Sequence, residues 1–241
     1  MNCNRQEAQK LASEVVQMQK DELINGCEVV LIPPFIHLAD VLHLTKGSNT
    51  KTGAQNCHQL ESGAYTGEIS APILASYGLD FVIIGHSERR QYFGEDNALL
   101  AQKVSAALKS GLTPIYCCGE TLDQRESNRH FDVNKTQIEE GLFHLSAEEM
   151  RNTVIAYEPV WAIGTGKTAS KEQAQEIHLS IRETISAKYG KEVADSISIL
   201  YGGSVKPDNA KELFAQADID GGLIGGAALK SRDFINIAKS F

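Results

Sequence analysis

The chain has no stretch resembling the roughly 18 apolar residues of a membrane-spanning helix; its longer apolar runs, such as Phe81-Val82-Ile83-Ile84, stop after about four. It has no run of five like charges and carries a formal net charge of −8, which argues against a nucleic-acid footprint or a polybasic membrane segment. The N-terminus lacks an apolar signal region, so nothing directs the chain elsewhere and a cytoplasmic location is expected. Cysteines are few and odd in number, five in all (Cys3, Cys27, Cys57, Cys117 and Cys118), with no C-x-x-C spacing. That pattern speaks against a disulfide framework and a zinc site, and no metal is expected. Proline is scarce at 6 against 20 glycines, and 42% of the 241 residues are hydrophobic, a composition that suits one large core. At this length one barrel domain is a better expectation than two smaller domains.

What is present is alternation. Aliphatic or β-branched runs recur at 28–32, 50–55, 81–84, 114–117, 154–157, 197–201 and 222–225, seven candidate strands. They show little polar alternation, as parallel strands covered on both faces do. Between them lie helical patterns: Ala8, Leu11, Ala12, Val15 and Val16 share one face within 5–24, and Ala174, Ile177, Ile181 and Ile185 share another. The spacing of about 32 residues per strand is that of an α/β barrel of eight βα units. A helix with no strand before it opens the chain, so the expectation is a (β/α)8 barrel over 1–241 without its first strand. A doubly wound sheet would place a glycine fingerprint after the first strand, where Pro33-Pro34-Phe35 stands.

Three glycine clusters follow late strands. Gly164-Thr165-Gly166-Lys167-Thr168 ends like a P-loop, but Trp161 occupies the position of the leading glycine. The same stretch fits G-x-G-x-x-A through Ala169, yet starts behind Pro159 and well past the strand. Tyr201-Gly202-Gly203-Ser204 and Gly221 to Gly226 suit either tight turns or backbone cradles for phosphate. Ser204 is no nucleophile elbow, because Lys206 stands where glycine is needed. Two acid–base candidates sit at strand ends: Glu158, before Pro159, and His86, before a helix expected to be capped by Ser87. A helix N-terminus opposes imidazolium and favours a neutral, hydrogen-bond-donating ring. His37, His43, His58, His130, His144 and His178 lack such a setting and read as surface or packing residues.

Residues 156–166 (AYEPVWAIGTG), 84–90 (IGHSERR), 53–56 (GAQN), 63–68 (GAYTGE), 117–120 (CCGE), 201–205 (YGGSV) and 224–227 (IGGA) together resemble the triosephosphate isomerase family along the whole chain. The resemblance implies Glu158 as the base that moves a proton between adjacent carbons and His86 as the donor that polarises the carbonyl, with Ser87, Glu88 and Cys117 behind them. It further implies a backbone phosphate cradle at Gly164, Ser204, Gly225 and Gly226. A closing lid of Val160, Trp161, Ala162, Ile163, Gly164, Thr165, Gly166, Lys167, Thr168 and Ala169 belongs to the same expectation. Gln55, Tyr65, Thr66, Gly67 and Glu68 resemble the loop that enters a partner subunit, which implies a homodimer acting on phosphorylated trioses without metal or organic cofactor. Family members open with a strand ending Asn-x-Lys-Met-Asn, of which Met1-Asn2 is the matching part here. The expectation is therefore an N-terminally truncated barrel. Its functional alternative is a catalytically impaired phosphate-binding remnant without the family's lysine.

Overall fold

The computed structural model describes residues 1–162 and 168–241. Seven parallel strands form one sheet in strict chain order: β1 (Val30–Leu31), β2 (Lys51–Ala54), β3 (Phe81–Ile84), β4 (Thr113–Cys118), β5 (Val154–Tyr157), β6 (Ile199–Tyr201) and β7 (Gly221–Gly222). Each of the seven expected runs overlaps a strand; the first is shortened to Val30–Leu31, and the last lies earlier than expected, at Gly221–Gly222 in place of 222–225. An edge strand has ladder bonds on one side only, and among the described residues β1 pairs with β2 alone as β7 pairs with β6 alone.

The strands carry two buried faces. Val82, Ile84, Tyr116, Ile155, Tyr157, Ile199 and Tyr201 face the surrounding helices. The alternate positions Ile83, Ile115, Cys117 and Ala156 pack together with Phe81, Val154 and Leu200 on the inside. This two-sided burial explains the lack of polar alternation in the sequence. Among the helices used below are α1 (Arg5–Glu22), α2 (Ser87–Phe93), α3 (Asn97–Lys109), α4 (His130–Leu142), α5 (Lys171–Tyr189) and α6 (Ser231–Ala238). α1 ends two residues earlier than its pattern suggests, at Glu22, with Leu23 extended. Ala174, Ile177, Ile181 and Ile185 of α5 are buried as their spacing requires.

The first and last helices meet. Val15 and Val29 pack with Ile235 and Ala238, joined by Leu11, Met18, Leu31 and Phe234. Ser231 donates to Glu14 at 2.6 Å, and Glu22 accepts from Arg232 at 2.6 Å and from Lys239 at 3.1 Å. The helical layer thus joins its two ends across a sheet whose end strands stay unpaired with each other.

Candidate active site

Strand register gathers the site. Ile84 lies opposite Tyr116, Cys117 opposite Ala156, and Tyr157 opposite Tyr201, which lies opposite Gly222. His86, Cys117, Glu158, Gly202 and Leu223 therefore reach the same carboxyl end of the sheet. Glu158 keeps the inward parity of Val154 and Ala156, so its side chain enters the mouth, where the residue is only 1% exposed. Its N–H is fixed by the Cys118 carbonyl at 2.7 Å.

The backbone is shaped around this glutamate. A Cβ on Gly119 would lie 1.8 Å from the Glu158 carbonyl oxygen, and one on Gly202 would lie 3.0 Å from Glu158 Cγ. Gly202, one of the glycines read as turn or phosphate cradle, has this further reason to be glycine. At Gly85 the chain turns out of β3 with φ of 77°. α2 then starts at Ser87, and its N-cap is His86, not Ser87: the imidazole Nδ1 accepts from the Glu88 N–H at 3.3 Å. That bond occupies the Nδ1 lone pair and leaves the proton of a neutral ring on Nε2. Nε2 lies 3.0 Å from Glu158 Oε1.

Ser87 completes the grip, its N–H donating to Glu158 Oε2 and its hydroxyl to Oε1, both at 2.9 Å. Burial raises the Glu158 pKa, opposed by His86, the two Ser87 bonds and the Cys117 thiol. The fully buried Cys117 thiol is itself held well above its ordinary pKa by burial and then by the Glu158 charge. The Glu88 side chain is exposed, with its carboxylate 3.8 Å from His86 Nδ1; its backbone makes the shorter contact. His178 is buried edge-on to Tyr157, and burial lowers its pKa to about 4, so it packs as a neutral ring.

Of the expected cradle, Ser204 follows β6, while Gly225 and Gly226 lie exposed where a short 3-10 turn begins, with open space where side chains would stand. Gly164 lies outside the described residues, as do Ile163, Thr165, Gly166 and Lys167 of the expected lid. The lid's first residues are anchored: Val160 N–H bonds the Glu120 carbonyl at 3.1 Å, and Trp161 Nε1 donates to Glu120 Oε1 at 2.7 Å. Thr168 is exposed and Ala169 buried. Glu120, fully buried, also accepts from Tyr157, Arg125 and Asn134. Its part as anchor was not read from the sequence, although it stands in the quoted 117–120 segment.

Gln55 donates to the Ile32 carbonyl at 3.1 Å, while residues 60–68 are exposed throughout, with Tyr65 lying 4.4 Å from the His58 ring.

A buried carboxylate and an imidazole nitrogen 3.0 Å apart at the carboxyl mouth of a parallel α/β sheet are a pair of the kind that exchanges protons with a bound substrate. The family model for triosephosphate isomerase matches residues 1–241, and the chain belongs to that family of isomerases. A triosephosphate isomerase of Cytophaga hutchinsonii is 61% identical over 243 residues, covering 100% of this chain and 96% of the relative. Those of Bacteroides fragilis and Porphyromonas gingivalis are 56% and 53% identical over 241 residues, covering all of this chain and 95% and 96% of their own lengths.

Proposed function

We propose that the chain interconverts dihydroxyacetone phosphate and D-glyceraldehyde 3-phosphate through an enediolate, as a cytoplasmic step of glycolysis and gluconeogenesis. The observation that carries this reading is the 3.0 Å approach of Glu158 Oε1 to His86 Nε2 in a buried mouth. Glu158 removes the proton from the carbon beside the carbonyl while His86 Nε2–H donates to the carbonyl oxygen, where charge accumulates. His86 passes its Nε2 proton to that oxygen and takes one back from the neighbouring hydroxyl, and the protonated Glu158 delivers its proton to the adjacent carbon, giving the isomer. The resting His86–Glu158 contact opens for the substrate, and the raised Glu158 pKa makes the carboxylate a stronger base. Backbone N–H groups at Gly164, Ser204, Gly225 and Gly226 hold the phosphate, and the lid over 160–169 excludes water, preventing loss of phosphate from the intermediate. Proton transfer and carbonyl polarisation are both supplied by side chains, so the scheme calls for no metal or organic cofactor.

The chain works as one barrel domain and as a homodimer through the loop carrying Tyr65, Thr66, Gly67 and Glu68. Supporting this are large exposed apolar side chains, among them Ile36, Leu60, Tyr65, Tyr92 and Phe93. Sedimentation equilibrium reads the dimer directly. Five free thiols support a reducing compartment.

A coupled isomerase assay tests the isomerisation reading, with Glu158→Gln expected to lower kcat by about 100- to 10,000-fold. A wild-type chain no faster than that variant would overturn it.

A further inference from the structure

We infer that Arg90, outside the reacting pair, is a positioning residue for it; the inference rests on the proton-transfer reading above. Arg90 is half-buried in α2, four residues past His86. Its Nε donates to the Gly85 carbonyl at 3.0 Å, and its Nη2 donates to the Cys117 carbonyl at 2.9 Å and to the Tyr116 hydroxyl at 3.1 Å. Nη1 donates to Asn97 Oδ1 at 2.6 Å. Gly85 is the residue before His86, and Cys117 carries the thiol that faces Glu158. One planar guanidinium therefore ties the carboxyl ends of β3 and β4 together just beyond the Ile84–Tyr116 pairing.

The chain of bonds continues to the third strand of the site. The Tyr116 hydroxyl donates to the Gln137 carbonyl at 2.6 Å. The Gln137 side chain holds Gly119 at both ends, accepting from its N–H at 2.8 Å and donating to its carbonyl at 3.1 Å. Gly119 is the residue whose backbone lies directly against the Glu158 carbonyl. His86 and Glu158 are thus referred to one planar fork through bonds that end on main chain at Gly85, Cys117 and Gly119. An arginine suits this task because its donors lie in a fixed plane, whereas lysine presents one point charge on a flexible stem. Gly85 itself cannot take a side chain: a Cβ there would lie 2.7 Å from Leu100, at a φ of 77° that side chains rarely adopt.

Arg90→Met removes all four bonds. The expected result is a kcat lower by about 10- to 100-fold, the cost of a misplaced catalytic pair. Inhibition by inorganic phosphate, held by the cradle after β6 and β7, should stay within about twofold. The 15N resonances of the His86 ring and the 13C resonance of the Glu158 carboxyl should shift as well, reading the same geometry without turnover. Asn97→Ala cuts the fourth bond and leaves both strand-end carbonyls held, so kcat and those resonances should stay at wild-type values. Arg90→Lys, able to reach one carbonyl, should fall between the two, and it carries the same comparison if Arg90→Met does not fold. Wild-type kcat with unmoved His86 and Glu158 resonances in the arginine variants would overturn the inference, as would an equal loss in Asn97→Ala. Should the wild-type chain show no isomerisation while Arg90→Met still moves both resonances and Asn97→Ala does not, the positioning role stands and the reaction reading fails.

Discussion

Glu158 is held where burial and hydrogen bonding pull in opposite directions, and burial prevails, leaving its pKa above the ordinary carboxylate range. In the proposed reaction the working base is the deprotonated form. kcat/KM should therefore rise with pH through a midpoint above about 4.3, the value for a free glutamate. Ser87→Ala removes the hydroxyl bond to Oε1 while keeping the backbone bond to Oε2. Its pH profile should show that midpoint moved further up; an unmoved or lowered midpoint would contradict the electrostatic account. The same shift bears on stability. The folded carboxyl binds its proton more tightly than the unfolded one, so this group disfavours folding above the raised pKa and ceases to do so as pH falls through it. Glu158→Gln should accordingly melt higher than the wild type at neutral pH, in a thermal scan at matched buffer.

Among the elements, the segment between α2 and α3 carries the most consequential buried charges. Glu95 Oε1 accepts from Arg89 and from Lys103, each at 2.7 Å, and Lys103 also reaches Asn56 at 2.9 Å, pinning the root of the exposed 60–68 loop. Lys103 and Glu95 are both buried. Glu95→Ala leaves the Lys103 ammonium buried without a carboxylate, and chemical denaturation should record a loss of about 3–5 kcal/mol. A loss under about 1 kcal/mol would mean that water or a rotated side chain replaces the carboxylate. None of this cluster was legible in the sequence, because its members are polar residues at helix-surface spacing whose partners come from separate elements. The strands were legible for the opposite reason: β3 and β5 are uninterrupted aliphatic runs between turn residues. Of the candidate site, the meeting of His86 and Glu158 was legible because each stands just past a strand end. The rest was hidden where geometry or partners from separate elements decide, as with the His86 imidazole capping its own helix, Gly202 making room for Glu158, and Glu120 gathering Tyr157, Trp161, Arg125 and Asn134.

Across the whole molecule, β1 and β7 each have one ladder partner among the described residues. The α1–α6 contact has a mechanical consequence. Six of the joints between neighbouring strands are made of backbone, whereas this closing joint consists of side chains: a small apolar cluster, Ser231 on Glu14, and Glu22 between two exposed cations. The compliance of the ring is concentrated there, so under tension it yields first at that joint, and added salt, which screens the Glu22 pairs, softens it further.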